Sequence, residues 1–249
     1  MHASVNEFVP TKVAQLSGVK KQFVKQVVLQ IGELEIYSGD RIALIGGNGA
    51  GKTTLIRCML GHYKYDGSID IFGMKPRADR VKILGRVGFV PQLPPPLTMT
   101  VKELVEFSAA LYKDSSAENI YKVAKDLQLD LEPEEKKPFH NLSGGMKQKL
   151  LIALALGKKT DLLIMDEPSA NLDPHGRKIL FQQLQGMPKE SVMLLSSHRI
   201  DEIKGLVNRV IEMDCGKIIS DKRFDVDDFN QSTVENVGMT TPIQPEVQK

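Results

Sequence analysis

A glycine-rich turn followed by Lys-Thr-Thr carries the clearest chemistry in this sequence of 249 residues. Residues 46–53 follow an apolar run and fit the pattern G-x-x-x-x-G-K-[ST]. The glycines allow the backbone to curl with positive φ, so that its N–H groups can surround an anion. A helix beginning near Lys52 adds its positive dipole end. The pattern predicts a phosphate-binding loop, whose expected nucleotide contacts are Gly46, Gly47, Asn48, Gly49, Ala50, Gly51, Lys52, Thr53 and Thr54.

Two residues of this loop have further expected roles. Lys52 can reach the β- and γ-phosphates of a nucleoside triphosphate, and the Thr53 hydroxyl can ligate Mg²⁺. The alternative is an ordinary glycine-rich turn with a solvated lysine. The preceding strand and the following helix favour the phosphate-binding loop.

Two adjacent carboxylates follow a second apolar run. Residues 162–165 read as a buried strand, and Asp166 and Glu167 come directly after it. Residues beyond the carboxyl end of a parallel strand face the ligand crevice. Asp166 can therefore hold Mg²⁺, directly or through water, and Glu167 can polarise an attacking water molecule. Alone, the pair could be two solvated acids, but the phosphate-binding loop favours the catalytic interpretation.

The composition excludes several classes of protein. The apolar fraction of 41%, the charged fraction of 26% and the net charge of +2 are ordinary for a globular protein, and we expect no nucleic-acid partner. Cys58 and Cys215 indicate free thiols rather than a disulfide framework. No apolar run approaches the roughly 18 to 20 residues that span a bilayer, and no secretory signal is visible. We therefore expect a soluble, cytoplasmic protein that reaches a membrane only through a partner.

Strand signals dominate the first third of the chain. We predict strands at 13–16, 27–29, 34–37, 42–45, 68–72 and 87–90. Gly32 and the turn residues 38–40 separate the early runs, which we interpret as antiparallel strands. A helix is predicted from Lys52 to about Leu60.

Helical signals replace the strand signals after a proline run, Pro94–Pro96. Thr100 with Glu103 predicts a capping box, Ser115 or Ser116 begins a second helix, and Ser143 begins a third that stops near Gly157. The alternation then resumes. We predict strands at 162–165, 192–196, 210–213 and 217–220, a helix from Pro174 toward Gln185, and a short helix at 201–207.

The predicted fold is α/β, with a P-loop NTPase core built on a mainly parallel sheet. An N-terminal antiparallel β subdomain and an inserted α-helical subdomain complete it. We expect one domain at 1–230, with the core at 1–92 and 157–225, the helical insert at about 93–156, and a flexible tail at 231–249.

A third segment resembles a known family. Residues 141–148, Asn-Leu-Ser-Gly-Gly-Met-Lys-Gln, resemble the signature segment of ABC-type ATPases, whose usual core is L-S-G-G-Q. The serine hydroxyl, the glycine N–H groups and the helix dipole can form a second anion site. The resemblance implies that Ser143, Gly144 and Gly145 bind the γ-phosphate of ATP held by an opposite subunit, head to tail.

Four further residues match this family by position. Gln92 resembles the glutamine that touches Mg²⁺ or water and links the core to the helical insert. Asp173 resembles the acid of the D-loop at the dimer interface, and His198 resembles the switch histidine that hydrogen-bonds the γ-phosphate. Phe23 aligns with the aromatic residue that stacks on adenine. Structural roles remain the alternatives for the lone histidine and for Phe23.

The resemblance extends from Lys12 to Ser220 and implies the ATP-binding subunit of an ABC transporter. It implies ATP and Mg²⁺ as ligands, with the metal near Thr53, Gln92 and Asp166. The implied partners are a second ATP-binding subunit, expected as a homodimer, and an integral membrane permease docked near the helical insert. The protein would then sit at the cytoplasmic face of the inner or plasma membrane.

Finer features leave alternatives open. Met146 with Lys-Gln-Lys after it resembles export-type subunits of multidrug, polysaccharide and copper-processing systems. Copper or sulfur species, drugs, lipids and polysaccharides all remain possible substrates. Pro94–Pro96 either stiffens the permease contact or forms a plain rigid loop. A soluble ABC ATPase of translation or DNA repair is the competing function, and a different P-loop enzyme, such as a kinase, is a weaker one.

Overall fold

The computed structural model describes residues 10–112, 115–198 and 203–224. The strands are β1 Lys12–Phe23, β2 Gln26–Tyr37, β3 Arg41–Ile45, β4 Asp66–Ile71, β5 Val87–Val90, β6 Leu162–Asp166, β7 Val192–Ser197, β8 Arg209–Asp214 and β9 Lys217–Arg223. The helices are α1 Lys52–Met59, α2 Arg80–Leu84, α3 Val101–Leu111, α4 Ala117–Asp126, α5 Gly144–Leu156 and α6 Pro174–Gln185.

A six-stranded sheet in the order β5-β6-β7-β3-β8-β9 forms the core. Strands β5, β6, β7, β3 and β8 run parallel to one another, and only the edge strand β9 runs antiparallel, in a hairpin with β8. The central strands β6 and β7 are buried along their whole length, as expected for apolar runs covered on both faces. The carboxyl ends of β3, β6 and β7 therefore meet at one edge, which confirms the mainly parallel core.

A second, antiparallel sheet has the order β2-β1-β4. The prediction of two strands at 27–29 and 34–37 was wrong, because β2 continues through Gly32. The alternation of buried and exposed side chains in β2 is interrupted there, because the buried positions pass from Ile31 to Leu34. The alternation in β1 is interrupted at the paired positions, between Leu16 and Val19. Gly18 in β1 absorbs the change with a φ of 60°. The two strands thus stay paired across a break in alternation that looked like a strand end.

In the described part of the segment between β5 and β6, three α-helices occur, as predicted. The Thr100 side chain accepts the Glu103 N–H, and the Glu103 carboxylate accepts the Thr100 N–H, so the capping box is confirmed. Ser116 and Ser143 cap α4 and α5 in the same manner. Buried side chains of these helices share one apolar cluster with β6 and β7. The insert is therefore packed onto the sheet that carries the carboxylates.

The remaining predictions have mixed outcomes. Helix α6 begins at Pro174 and ends at Gln185 as predicted, and the β8–β9 hairpin is confirmed. Part of the helix predicted at 201–207 lies outside the described residues, and Lys204–Leu206 forms only a 3₁₀ turn. The tail at 231–249 also lies outside them. Within the ranges that the structure describes, no helix is long and apolar enough to cross a membrane.

Both cysteines are free thiols, as expected from the sequence. Cys215 is exposed in the turn between β8 and β9, whereas Cys58 is buried on α1. Burial raises the pKa of the Cys58 thiol to about 11, so this side chain behaves as a small apolar core residue.

Candidate nucleotide site

The predicted phosphate-binding loop joins β3 to α1 at the carboxyl edge of the sheet. Gly46 and Gly51 adopt φ angles of 149° and 103°, which L side chains rarely adopt. A Cβ atom on Gly46 would lie 2.3 Å from the Met213 carbonyl oxygen, and one on Gly51 would lie 3.1 Å from the Gly216 Cα. Glycine is therefore required at both positions because the loop packs directly on the β8–β9 turn.

The Lys52 side chain spans this loop. Its Nζ donates hydrogen bonds to the carbonyl oxygens of Gly46, at 2.7 Å, and Gly47, at 3.2 Å. Lys52 is largely buried. An ammonium group has three donors, so a bound phosphate can use the third or replace a carbonyl partner. The charge is thus held where the β- and γ-phosphates are expected.

A cavity of about 310 Å³ opens at the loop. Phe23, Gln92 and Glu167 lie far apart in sequence, and the structure brings them together in the lining of this cavity with Val28 and the loop residues. The described lining does not include Asp166, His198 or Ser143–Gly145. The expected base-stacking residue, the expected Mg²⁺ contact Gln92 and the expected base Glu167 therefore face one cavity.

The two carboxylates are fixed by a serine that the sequence analysis missed. Asp166, the last residue of β6, lies opposite Ser196 of β7. The buried Ser196 hydroxyl donates to Asp166 Oδ1 at 2.6 Å and accepts the Glu167 N–H at 2.9 Å. Its only sequence signal was a polar residue ending an apolar strand. Ser196 thus orients both carboxylate-bearing residues at once.

Glu167 is held in an unusual conformation. Its φ of 50° lies in the left-handed region, which is uncommon for a non-glycine residue and recurs at functional sites. Its carboxylate Oε2 lies 2.8 Å from His198 Nδ1, and Glu167 is almost completely buried. We expected His198 to contact a γ-phosphate; here its structural partner is Glu167. An Nδ1–H that donates to the carboxylate leaves Nε2 for another contact.

The segment at 143–145 forms the amino end of α5. Ser143 caps the helix by accepting the Met146 N–H at 3.2 Å, and both Ser143 and Gly144 are exposed. The first N–H groups of a helix lack intrahelical acceptors, so Gly144 and Gly145 can present donors to an anion. Asp173 caps α6 by accepting the Gly176 N–H at 2.6 Å.

A buried glutamine connects α5 to the segment that follows β6. Gln148 is fully buried, and its Nε2 donates to the Pro168 carbonyl at 3.1 Å. Pro168 follows Glu167 directly. The sequence analysis treated Gln148 only as part of a resemblance, although a polar residue on a buried helix face was a usable signal. The contact joins α5 to the residue that follows Glu167.

Known proteins share this arrangement of sequence and fold. Residues 29–170 match a family model described as "ABC transporter". "Nod factor export ATP-binding protein I" of Cupriavidus metallidurans is 34% identical over 219 residues, covering 85% of this chain and 71% of that protein. "Bacitracin transport ATP-binding protein BcrA" of Bacillus licheniformis is 32% identical, covering 86% and 70%.

Solved structures agree with these matches. An ATP-binding subunit of an ABC transporter superposes with a TM-score of 0.75 at 25% identity, covering 86% of this chain and 90% of that one. A dimeric ATP-binding cassette in a post-hydrolysis state with ADP and Pi shares the fold, with a TM-score of 0.74 at 23% identity and coverage of 85% and 99%. The family match spans more than half of the chain, including the loop and both carboxylates. This chain therefore belongs to the ABC transporter family, as an ATP-binding subunit with ATPase activity.

Proposed function

We propose that this chain powers a separate membrane permease by closing as a dimer around two ATP molecules and hydrolysing them. The observation that carries the proposal is the cavity in which the phosphate-binding loop, Gln92 and Glu167 face one another. Opening and closing of the dimer would move the helical insert and the permease docked on it.

The residues of the cavity have complementary catalytic roles. Glu167 orients a water molecule and accepts its proton, while the water oxygen bonds to the γ-phosphorus and the bond to the β–γ bridging oxygen breaks. ADP and phosphate are the products. Lys52 stabilises the charge on the transferred phosphoryl group. His198 holds the Glu167 carboxylate through the 2.8 Å contact of Nδ1. With a proton on each ring nitrogen, its Nε2–H also donates to the γ-phosphate. Phe23 stacks on the adenine.

The residues present suit Mg²⁺. The cation prefers oxygen ligands and uses one or two carboxylates together with substrate phosphates and water. Thr53, Gln92 and Asp166 supply such oxygens, and the Ser196 contact occupies only Oδ1 of Asp166. Among the described residues, no group of three or more His, Cys, Asp or Glu side chains could hold a metal unaided. We therefore assign these three residues to a Mg²⁺ that also requires the ATP phosphates, whose charge it would neutralise.

The exposed amino end of α5 supports the dimer. Ser143 and Gly144 are exposed and do not belong to the described lining of their own chain's cavity. Their donors suit the γ-phosphate on a second copy, head to tail, with Asp173 at the same interface. The simplest assembly is a homodimer.

The helical insert supports docking to a permease. Leu93, at the start of the insert, is 77% exposed, and Phe107 and Leu111 of α3 are more than half exposed. We assign these three side chains to the proposed contact with the permease, which would remove their apolar area from water. The longest described helix of the insert has 13 residues, which does not resemble the coiled coil of soluble ABC ATPases. We infer a position at the cytoplasmic face of the membrane, and the names of the export relatives favour export. The permease would select the substrate.

The first experiment is Glu167→Gln in the purified protein. We expect ATP hydrolysis to fall by about 100-fold or more, because a general base contributes at least that factor. ATP affinity should persist, and ATP should now trap a dimer visible by size-exclusion chromatography. The exposed Glu190→Gln is the matched control and should keep the parent rate. Hydrolysis at the parent rate by Glu167→Gln would show that the base assignment is wrong.

A second measurement tests coupling to transport. The tagged protein should co-purify from membranes with a multi-span permease. Co-purification with ribosomes or DNA instead would support the soluble alternative.

A further inference from the structure

A cluster of aromatic and cationic side chains lies beside the nucleotide cavity. Phe23 ends β1 and is 40% exposed. The Tyr63 ring meets it edge to face, with centroids 5.2 Å apart and an interplanar angle of 87°. Lys21 Nζ lies 4.5 Å from the Phe23 centroid and 5.5 Å from that of Tyr63. Arg57 of α1 donates to the Tyr63 hydroxyl at 2.7 Å.

The cluster contacts Phe23 from outside the cavity. The described residues that line the cavity include Phe23 but not Lys21, Tyr63 or Arg57. Lys21 lies over a face of the ring, so a lysine on the cavity side would itself line the cavity. The ring therefore presents one side to the nucleotide and receives its support on the other.

This support has two physical effects on Phe23. The ring ends a strand beside Val24, which is 98% exposed, so little of the turn packs against it. Tyr63 restricts the ring to one orientation, and a preorganised ring loses less freedom when a base stacks on it. The Lys21 ammonium also draws electron density toward the face of the Phe23 ring that is turned away from the cavity. The cavity face then becomes a better stacking partner for an electron-rich purine.

We propose that Lys21, Tyr63 and Arg57 are positioning residues that fix and polarise Phe23 and thereby set the preference for a purine base. This inference rests on the proposed stacking role of Phe23. Arg57 acts through Tyr63, whose hydroxyl it holds, and none of the three needs to touch the nucleotide.

The test separates base recognition from phosphate recognition. Dissociation constants for ATP, CTP and inorganic tripolyphosphate, each with Mg²⁺, are measured by calorimetry on the full chain. Lys21→Met and Tyr63→Leu should each raise the dissociation constant for ATP by about 2- to 5-fold, the effect expected of one exposed cation–π or aromatic contact. Both changes should lower the ratio of ATP affinity to CTP affinity and leave the affinity for tripolyphosphate unchanged. Tripolyphosphate binding also shows that the variants are folded.

Two controls define the outcome. Lys20→Met removes the same charge from the adjacent, exposed residue, whose side chain points to the other face of β1, and should change nothing. Lys21→Met should have no further effect in a Phe23→Ala background, because Lys21 acts only through the ring. An equal loss in that background would overturn the proposal and indicate direct contact with the nucleotide.

The remaining outcomes distinguish this inference from its premise. Suppose that Lys21→Met and Tyr63→Leu keep the parent ATP affinity while Phe23→Ala weakens ATP binding. Lys21 and Tyr63 would then have no positioning role, and the stacking role of Phe23 would stand. Parent-like affinity in Phe23→Ala would refute the stacking role itself. Equal losses of ATP and tripolyphosphate in Lys21→Met would show a general disturbance of the site and would also refute the inference.

Discussion

Two side chains at and just after the end of β7, Ser196 and His198, hold the carboxylate-bearing residues Asp166 and Glu167 in position. The Ser196 hydroxyl accepts from the Glu167 backbone and donates to Asp166, while His198 contacts the Glu167 carboxylate. Each functional group thus has a neighbour that fixes its direction, and the left-handed backbone at Glu167 is stabilised by the same contacts. For the catalytic roles proposed above, such fixed directions would be preorganisation of the site.

Ser196→Ala tests this preorganisation at the scale of one oxygen atom. We expect kcat for ATP hydrolysis to fall by about 10- to 100-fold, since partners that orient metal- or water-binding groups commonly have effects of this size. KM for ATP should change little, because the phosphate-binding loop is untouched. Steady-state kinetics provide the measurement, with Ser191→Ala, just before β7, as the control. A parent-like kcat in Ser196→Ala would show that the hydroxyl has no orienting role.

At the scale of elements, the sequence predicted features with local causes. The capping box of α3 and the proline start of α6 depend on residues within one helical turn, so spacing alone located them. The continuity of β2 has a non-local cause, because the phase change at Gly32 is matched by the one at Gly18 in β1. Ser196 was missed for the same reason: its role exists only in the pairing of β6 with β7.

A buried ionic cluster joins the strand elements at the far side of the core. Arg209 of β8 donates to Asp40 Oδ2 at 2.8 Å and to both carboxylate oxygens of Asp221 in β9, and Arg223 also pairs with Asp40. The side chains of Arg209 and Asp40 are 6% and 2% exposed. Removing one partner of a pair buried this deeply lowers the free energy of unfolding strongly, because the remaining charge cannot reach water.

Asp40→Asn should therefore lower the free energy of unfolding by about 3 kcal/mol, the range found when one partner of a buried ion pair is removed. Asp161→Asn is the matched control, since its pair with Arg86 is about half exposed on both sides. That change should cost under about 1 kcal/mol. Urea denaturation of both variants provides the comparison, and equal losses would contradict the importance of burial.

At the scale of the whole molecule, the two segments proposed to bind phosphate are separate: the described lining of the cavity at the phosphate-binding loop does not include Ser143–Gly145. The phosphate-binding loop follows β3, and Ser143–Gly145 begin α5 in the helical insert. Gln148 connects that helix to the segment after Glu167. A head-to-tail dimer would use both features in each of its two sites, and it would relate ATP hydrolysis to movement of the insert.

Mixing two inactive variants tests the head-to-tail arrangement. Lys52→Ala disables the loop, and Gly144→Asp places a negative charge where the signature donors would meet a phosphate. A Cβ atom at Gly144 meets nothing within 4 Å, so this variant should fold. Each variant alone should be inactive, but a mixed dimer contains one site with an intact loop and an intact signature.

An equal mixture should recover at most about a quarter of the parent ATPase rate, because half of the randomly formed dimers are mixed and each has one intact site. A mixture of Gly144→Asp with Gly145→Asp is the control and should stay inactive, since both changes affect the signature. If the Lys52→Ala and Gly144→Asp mixture also stays inactive while mixed dimers form, the loop and the signature do not act across two chains.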